Sequence, residues 1–273
     1  MARAVSAGVG VTRPIVFLTD YGRGDVFVGV CHGVIARIAP DARVIDLTHA
    51  VPRQDVLRGA VDLARAVPFM PADAVYAAVV DPGVGSSRRA VAAAAGASFL
   101  VGPDNGVLSL AWQALGGVTD AVEIANPNVV LAPVSRTFHG RDIFAPAAAH
   151  LAIGRSLGDL GPAVDPVSLE RLDLPGAMVA PGAVGARVTA TDGFGNVQLN
   201  ATEVDLQAAG VAGRVLVVNG RRLPRAGTFA ELPEREPGLI IDSDGHLAIV
   251  VNRGNAAVML GLAAGDAVVV EGS

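Results

Sequence analysis

Asp81 closes an apolar β-type run, Ala74-Val75-Tyr76-Ala77-Ala78-Val79-Val80, and opens a glycine-rich turn that leads to Arg88 and Arg89. An acid and a base leaving one turn at the carboxyl end of a buried strand can face one cleft, the place where open α/β sheets collect their ligands. There they can orient a small nucleophile, take its proton and stabilise the charge it develops. The plainer reading of this stretch alone is a surface turn closed by an ion pair. Four further polar clusters end apolar runs: Asp20 after Pro14 to Thr19; His139 with Asp142; Asp192 to Asn196; and Ser243 with Asn252 to Ala257. Clusters repeated in such positions point to one cleft lined by two domains.

Several chemistries are excluded by spacing. Gly83-Val84-Gly85 lacks the third glycine of a dinucleotide loop and the Gly-Lys-Ser/Thr of a phosphate loop. Neither Ser86 nor Ser243 has the glycine frame of a nucleophile elbow. The histidines, His32, His49, His139, His150 and His246, are scattered, with no His-x-x-x-His pair on a helix, so no metal is expected. His32 and His150 read as core or capping residues and His49 is open. His139 is the strongest functional candidate, because a glycine and two charged groups follow it.

The elements that must hold these groups follow from periodicity. Asp25 is expected to cap a helix whose apolar face carries Val26, Val30, Val34 and Ile38, and Pro40 ends it. Val44 to Thr48 is a second strand. Asp55 caps a helix with Val56, Ala60, Ala64 and Val67 on one face. Strand–helix alternation up to about residue 165 predicts an α/β domain, a mostly parallel sheet with helices on both faces. Residues 166–185 read as a linker. From 186 to 273 short β-type runs separated by turns, Asn219-Gly220 among them, predict a smaller antiparallel barrel or sandwich. The first domain is placed at 14–165.

Composition narrows the partners. The chain has 273 residues, 51% of them apolar and only 4% aromatic, so Ala, Val and Leu must fill the core. A formal charge of −5 with no basic stripe argues against nucleic acid. One cysteine, Cys31, rules out an intrachain disulfide framework and reads as a packing residue. No apolar run is long enough to span a membrane, and a cytoplasmic protein is expected.

Seven segments occur in an order that resembles the S-adenosylmethionine hydroxide adenosyltransferase family, relatives of the fluorinase and chlorinase. They are Phe17-Leu18-Thr19-Asp20-Tyr21-Gly22, Ile45-Asp46-Leu47-Thr48-His49, Asp81-Pro82-Gly83-Val84-Gly85, Gly102-Pro103-Asp104-Asn105-Gly106, Thr137 to Pro146, Phe194-Gly195-Asn196 and Asn255-Ala256-Ala257. The resemblance spans about residues 14–270. It implies an N-terminal α/β domain, a C-terminal β-barrel and a homotrimer with active sites shared between subunits. The family's catalytic Asp, Arg and His fall on Asp81, Arg88 and His139, and its ribose-binding aspartate on Asp20. Groups that hold methionine and adenine fall on Asp192, Phe194, Asn196 and Ser243, and adenine-contacting backbone on Arg253 to Ala256, which includes Asn255. The plainer readings are barrel core for Phe194 and a turn residue for Asn196.

Two departures separate the chain from the halogenases: they carry a non-acidic residue where Asp81 stands, and the fluorinase has a Tyr-Ser pair in place of His139-Gly140. A carboxylate repels halide and accepts a hydrogen bond from water. The expected reaction is therefore in-line attack of an activated water on the ribose 5′ carbon of S-adenosylmethionine, which releases methionine and leaves adenosine. Sulfonium leaves readily, so the chemistry asks for no cofactor; either Asp81 or His139 can be the base. The alternatives are a halide-using halogenase, a non-catalytic sensor of adenosine or S-adenosylmethionine, and a metal-dependent phosphoesterase.

Overall fold

Successive side chains of the first strands divide between two cores, one on each face of a sheet. In strand β1 (Ile15–Thr19) and strand β3 (Val75–Val79), Ile15, Phe17, Val75, Ala77 and Val79 enter one core; Val16, Leu18, Tyr76 and Ala78 enter the other. Burial on both faces is what turns these strands into unbroken apolar runs. The computed structural model describes residues 12–174, 176–211, 213 and 215–273. It forms two compact units, Met1–Leu172 and Asp173–Ser273.

In the first unit, β1, β2 (Val44–Thr48), β3, β4 (Ala90–Ala95), β5 (Ser98–Pro103), β6 (Val118–Glu123) and β7 (Ala163–Val164) make one sheet in the order β2-β1-β3-β5-β4-β6-β7. The first four positions pair in parallel and the rest antiparallel. Helices α1 (Phe27–Ile38) and α4 (Ala145–Ala152) supply one core, with Ile35, Ala148 and Leu151; α2 (Val56–Ala66) and α3 (Ser109–Ala114) supply the other, with Leu63, Ala111 and Trp112.

Two helix faces differ from the sequence expectation. In α1 the buried residues are Cys31, Val34 and Ile35, whereas Val26 and Val30 are exposed. In α2 they are Gly59, Ala60, Val61, Leu63 and Ala66. A stripe built from steps of four drifts around a helix of 3.6 residues per turn by about 40° per step, and the i+3 companions bring it back. Asp25 is not the cap: Val26 takes the N-cap position of α1 without a side-chain bond. Asp55 does cap α2, accepting from the Arg58 amide at 2.9 Å. Cys31 is fully buried, and burial pushes its thiol up to about 12, as a packing role requires.

The second unit is an antiparallel sheet rolled nearly into a barrel. Its strands are β8 (Met178–Ala180), β9 (Ala183–Thr191), β10 (Val197–Thr202), β11 (Val215–Val218), β12 (Arg221–Pro224), β13 (Pro237–Ile241), β14 (His246–Val251) and β15 (Ala267–Gly272). The order is β12-β11-β15-β9-β10-β14-β13, with β8 beside β9, and a bridge from Arg225 to Leu239 brings the ends together. Asn219 and Gly220 both take positive φ in the β11–β12 hairpin, as their dipeptide predicts. Two short helices, α5 (Glu203–Ala208) and α6 (Ala256–Leu260), were not legible from periodicity. No helix among the described residues is long and apolar enough to cross a membrane.

Candidate active site

Adjacent parallel strands β1 and β3 end side by side, with Thr19 opposite Val79, so the residues that follow, Asp20 and Asp81, leave the same edge of the sheet. Arg88 returns from the glycine turn and grips Asp81 with two bonds, Nε to Oδ1 at 2.8 Å and Nη2 to Oδ2. The side chains are only 7% (Asp81) and 10% (Arg88) exposed. Arg88 Nη2 also reaches His139 Nδ1 at 2.7 Å, and its guanidinium lies over the buried ring of Phe144. Asp81, Arg88 and His139 thus form one connected network.

The direction of the Arg88–His139 bond fixes the imidazole. A guanidinium has no acceptor, so Nδ1 must accept and the remaining proton of the neutral ring sits on Nε2. Burial, and then the Arg88 charge, push the His139 pKa below its ordinary value. The unfolded chain therefore binds this proton more tightly than the folded one. The contribution of neutral His139 to stability is present above pH ~6.5 and declines as pH falls from there through the lower folded value. A proton NMR titration should place the His139 midpoint below ~6.5; a midpoint at or above that value would contradict the Arg88-to-Nδ1 direction.

His139 opens a π-helical turn, Gly140–Phe144, that runs into α4, a geometry concentrated at functional sites. Asp142 does not join this network. Its buried carboxylate accepts from the Ser135 amide at 2.8 Å and from Arg141 at 2.6 and 2.9 Å, which ties down the loop before His139. Burial alone would raise its pKa, but Arg141 and the Ser135 amide outweigh it and hold the carboxyl below its ordinary value. Gly85 explains part of the turn motif: its φ is +77°, and a Cβ there would stand 2.4 Å from the Arg136 carbonyl oxygen of that loop. Arg89 is structural. It pairs with Asp104 at 2.5 and 2.8 Å, and Asn105 donates to the Val80 carbonyl at 2.9 Å, bracing the end of β3.

Asp20 accepts from the Gln54 amide at 2.8 Å through Oδ2. Beside it, Tyr21 is the residue whose importance motif reading did not reach. Its ring packs against Phe27 and Phe138, and its hydroxyl occupies the space in which a side chain at position 140 would begin. Burial pushes its phenol well above the ordinary value, with Cys31, Asp20 and Asp81 adding to the rise, so it stays protonated.

The second unit carries its own ligand-sized groove. A cavity of about 550 Å³ is lined by Phe194, Asn196, Phe229, Val251, Arg253 and Gly254. A neighbouring cavity of about 330 Å³ shares Asn196 and Phe229 and adds Asp192 and Ser243. Phe194 is 81% exposed, so it is not barrel core. Asp192 shapes the loop: Oδ1 accepts from the Phe194 and Asn196 amides, both at 2.9 Å, and Oδ2 from Asn196 Nδ2 at 2.8 Å. Asn255 caps α6 through the Val258 amide at 2.8 Å, and Ala256 is fully buried, so neither side chain lines the groove. Arg253 pairs with Glu234 at 2.8 Å on the surface. Phe229, which lines both cavities, lies in a Pro- and Glu-rich loop without a pattern that could have flagged it.

The histidines are not all scattered in space, contrary to the sequence expectation: His32 and His49 converge on Asp46.

The SAM hydroxide adenosyltransferase N-terminal domain matches residues 15–161 and the corresponding C-terminal domain residues 186–269. An (R)-S-adenosyl-L-methionine hydrolase of Salinispora tropica is 53% identical over 254 residues, covering 92% of this chain and 95% of that protein. One of Thermus thermophilus is 45% identical over 260 residues, covering 93% and 97%. A fluorinase of an Actinoplanes species is 31% identical over 291 residues, covering 94% and 96%. The crystal structure of a conserved protein of Thermotoga maritima superposes with a TM-score of 0.88 at 37% identity, covering 94% of this chain and 99% of that one. With matches over both units, the chain belongs to the SAM hydroxide adenosyltransferase family.

Proposed function

We propose that this protein hydrolyses S-adenosylmethionine to adenosine and methionine, water attacking the ribose 5′ carbon in line with the departing sulfur. The observation that carries the reading is the buried Asp81–Arg88–His139 network. Asp81 keeps free lone pairs after its two bonds to Arg88, since a carboxylate has about four acceptor sites. It accepts the water's proton. His139 presents Nε2–H and orients the oxygen as a donor, so Asp81 rather than His139 is the base. Arg88 stabilises hydroxide character as it develops. A halide would meet the Asp81 carboxylate and be repelled. Attack of hydroxide on a sulfonium neutralises charge, so water exclusion favours it.

In the same reading Asp20 binds the ribose diol, Phe194 stacks on adenine with Phe229 nearby, and Asn196 reads the base edge. Asp192 attracts the methionine ammonium and Ser243 bonds its polar groups. Backbone at Arg253, Asn255 and Ala256 completes the adenine contacts. The exposed aromatic walls of the groove support this assignment. The protein works as a cytoplasmic homotrimer in which each site is completed by a neighbouring subunit, and it requires no cofactor. A monomeric variant is then inactive.

The relatives' name specifies the R configuration at sulfur, and preference for that epimer belongs to the proposal. Separate incubation with each sulfur epimer should give adenosine and methionine in equal amounts, the R epimer reacting at least ~10-fold faster, about 1.4 kcal/mol of discrimination. Faster turnover of the S epimer would refute the preference. Intact, bound R epimer would refute hydrolysis and favour a sensor.

A further inference from the structure

Outside the catalytic network, three chemistry-bearing side chains meet between α1 and the edge strand β2. Their ligand atoms all lie within 4.8 Å of one another. His32 Nε2 stands 2.8 Å from Asp46 Oδ1, and His49 Nε2 stands 3.1 Å from the same oxygen. The His49 side chain is only 6% exposed, and its Nε2 has no hydrogen-bond partner among the described residues beyond its 3.1 Å approach to Asp46 Oδ1. His49 Nδ1 is held by Thr19 Oγ1 at 2.9 Å. When Nδ1–H donates there, Nε2 is left with a lone pair aimed at a carboxylate oxygen. In that tautomer two acceptors face each other, and a cation between them satisfies both.

We propose that His32, Asp46 and His49 form a binding site for a divalent transition metal of the zinc class. Two imidazoles and one carboxylate are an N₂O set suited to zinc, with one or more positions left for water. Zinc bonds of ~2.0–2.2 Å set tetrahedral ligand atoms about 3.4 Å apart, so the site opens by about half an ångström to accept the ion. The freedom exists, because His32 and Asp46 are 35% and 43% exposed while His49 is fixed. The Thr19 bond to His49 Nδ1 is the outer-shell contact that orients a metal-ligating imidazole. Phe17 closes the floor, its ring 5.0 Å from that of His49 and 6.0 Å from that of His32. The role is structural. The His49 carbonyl accepts from the Gly22 amide at 2.7 Å, so an ion on His49 braces the turn that carries Asp20 and Tyr21. Binding at this cluster is independent of the reaction.

The test uses the full chain, stripped with a chelator and titrated with Zn²⁺ by calorimetry and with Co²⁺ by visible absorption. One ion should bind per chain, Co²⁺ should show the intense d–d bands of a low-coordinate site, and Zn²⁺ should raise Tm. His32→Ala and Asp46→Asn, both at half-exposed positions, should fold normally by circular dichroism and bind at least ~10–100-fold more weakly. Loss of uptake in both variants supports the site. Failure of the wild type to take up either ion would overturn it, as would variants that bind as tightly as the wild type, because the ion would then lie elsewhere.

Discussion

Asp81→Asn is expected to cut turnover by ~10²–10⁴-fold, the usual worth of a positioned general base, while ligand affinity changes little. The amide keeps the shape of the carboxylate and one acceptor for Arg88, but it cannot take a proton from water. Asp81→Ala should do the same to turnover and also damage the fold. It leaves the Arg88 guanidinium, 10% exposed, without its partner, and an orphaned buried charge of this kind costs ~3–5 kcal/mol. The His139 bond and the Phe144 ring do not replace the lost negative charge. Single-turnover rates, calorimetric affinity and urea melts on the two variants separate the effects. Wild-type turnover in Asp81→Asn would remove Asp81 from the base role.

The second large effect is expected at a residue with no functional group. Gly140 follows His139, and a Cβ there would stand 1.9 Å from Tyr21 Oη and 2.9 Å from Cζ. The Tyr21 ring cannot swing aside cheaply, since Phe27 and Phe138 pack on it at 5.9 and 5.8 Å between centroids. Gly140→Ser should therefore displace Tyr21 or the His139 turn. A loss of ~10²-fold or more in turnover follows from an ångström-scale misplacement, with ~1–3 kcal/mol of stability lost to overpacking. Adding Tyr21→Phe removes the closest clash but keeps the ring, so it should restore turnover only in part. Undiminished activity in Gly140→Ser would show that the Tyr21 wedge is dispensable. Tyr21 already fills the room that a side chain at position 140 would need.

Much of this could be read from the chain because strand ends are marked twice, by an apolar run and by the polar residue that stops it. That double mark located Asp20 and Asp81 at strand ends. The motif at His139 marked its loop, but the π-helical turn and the outward use of Asp142 depend on tertiary bonds to Ser135 and Leu131 that periodicity does not encode. The helix faces of α1 and α2 were misread for a geometric reason, a stripe of fours that rotates off the core. Asp25 is not the cap because the helix begins one residue later than its position suggests. His32 and His49 looked unrelated because 17 residues and a change of element separate them; only the packing of α1 beside β2 joins them on Asp46. Phe229 and Tyr21 carry no local signal for the space they occupy.

The central claim is that water, and not halide, attacks carbon. Purified protein should be incubated with S-adenosylmethionine in heavy-oxygen water containing chloride, and the products weighed by mass spectrometry. The account requires adenosine with one heavy oxygen at the 5′ position and unlabelled methionine. Chloro-adenosine, or adenosine without the label, would contradict it.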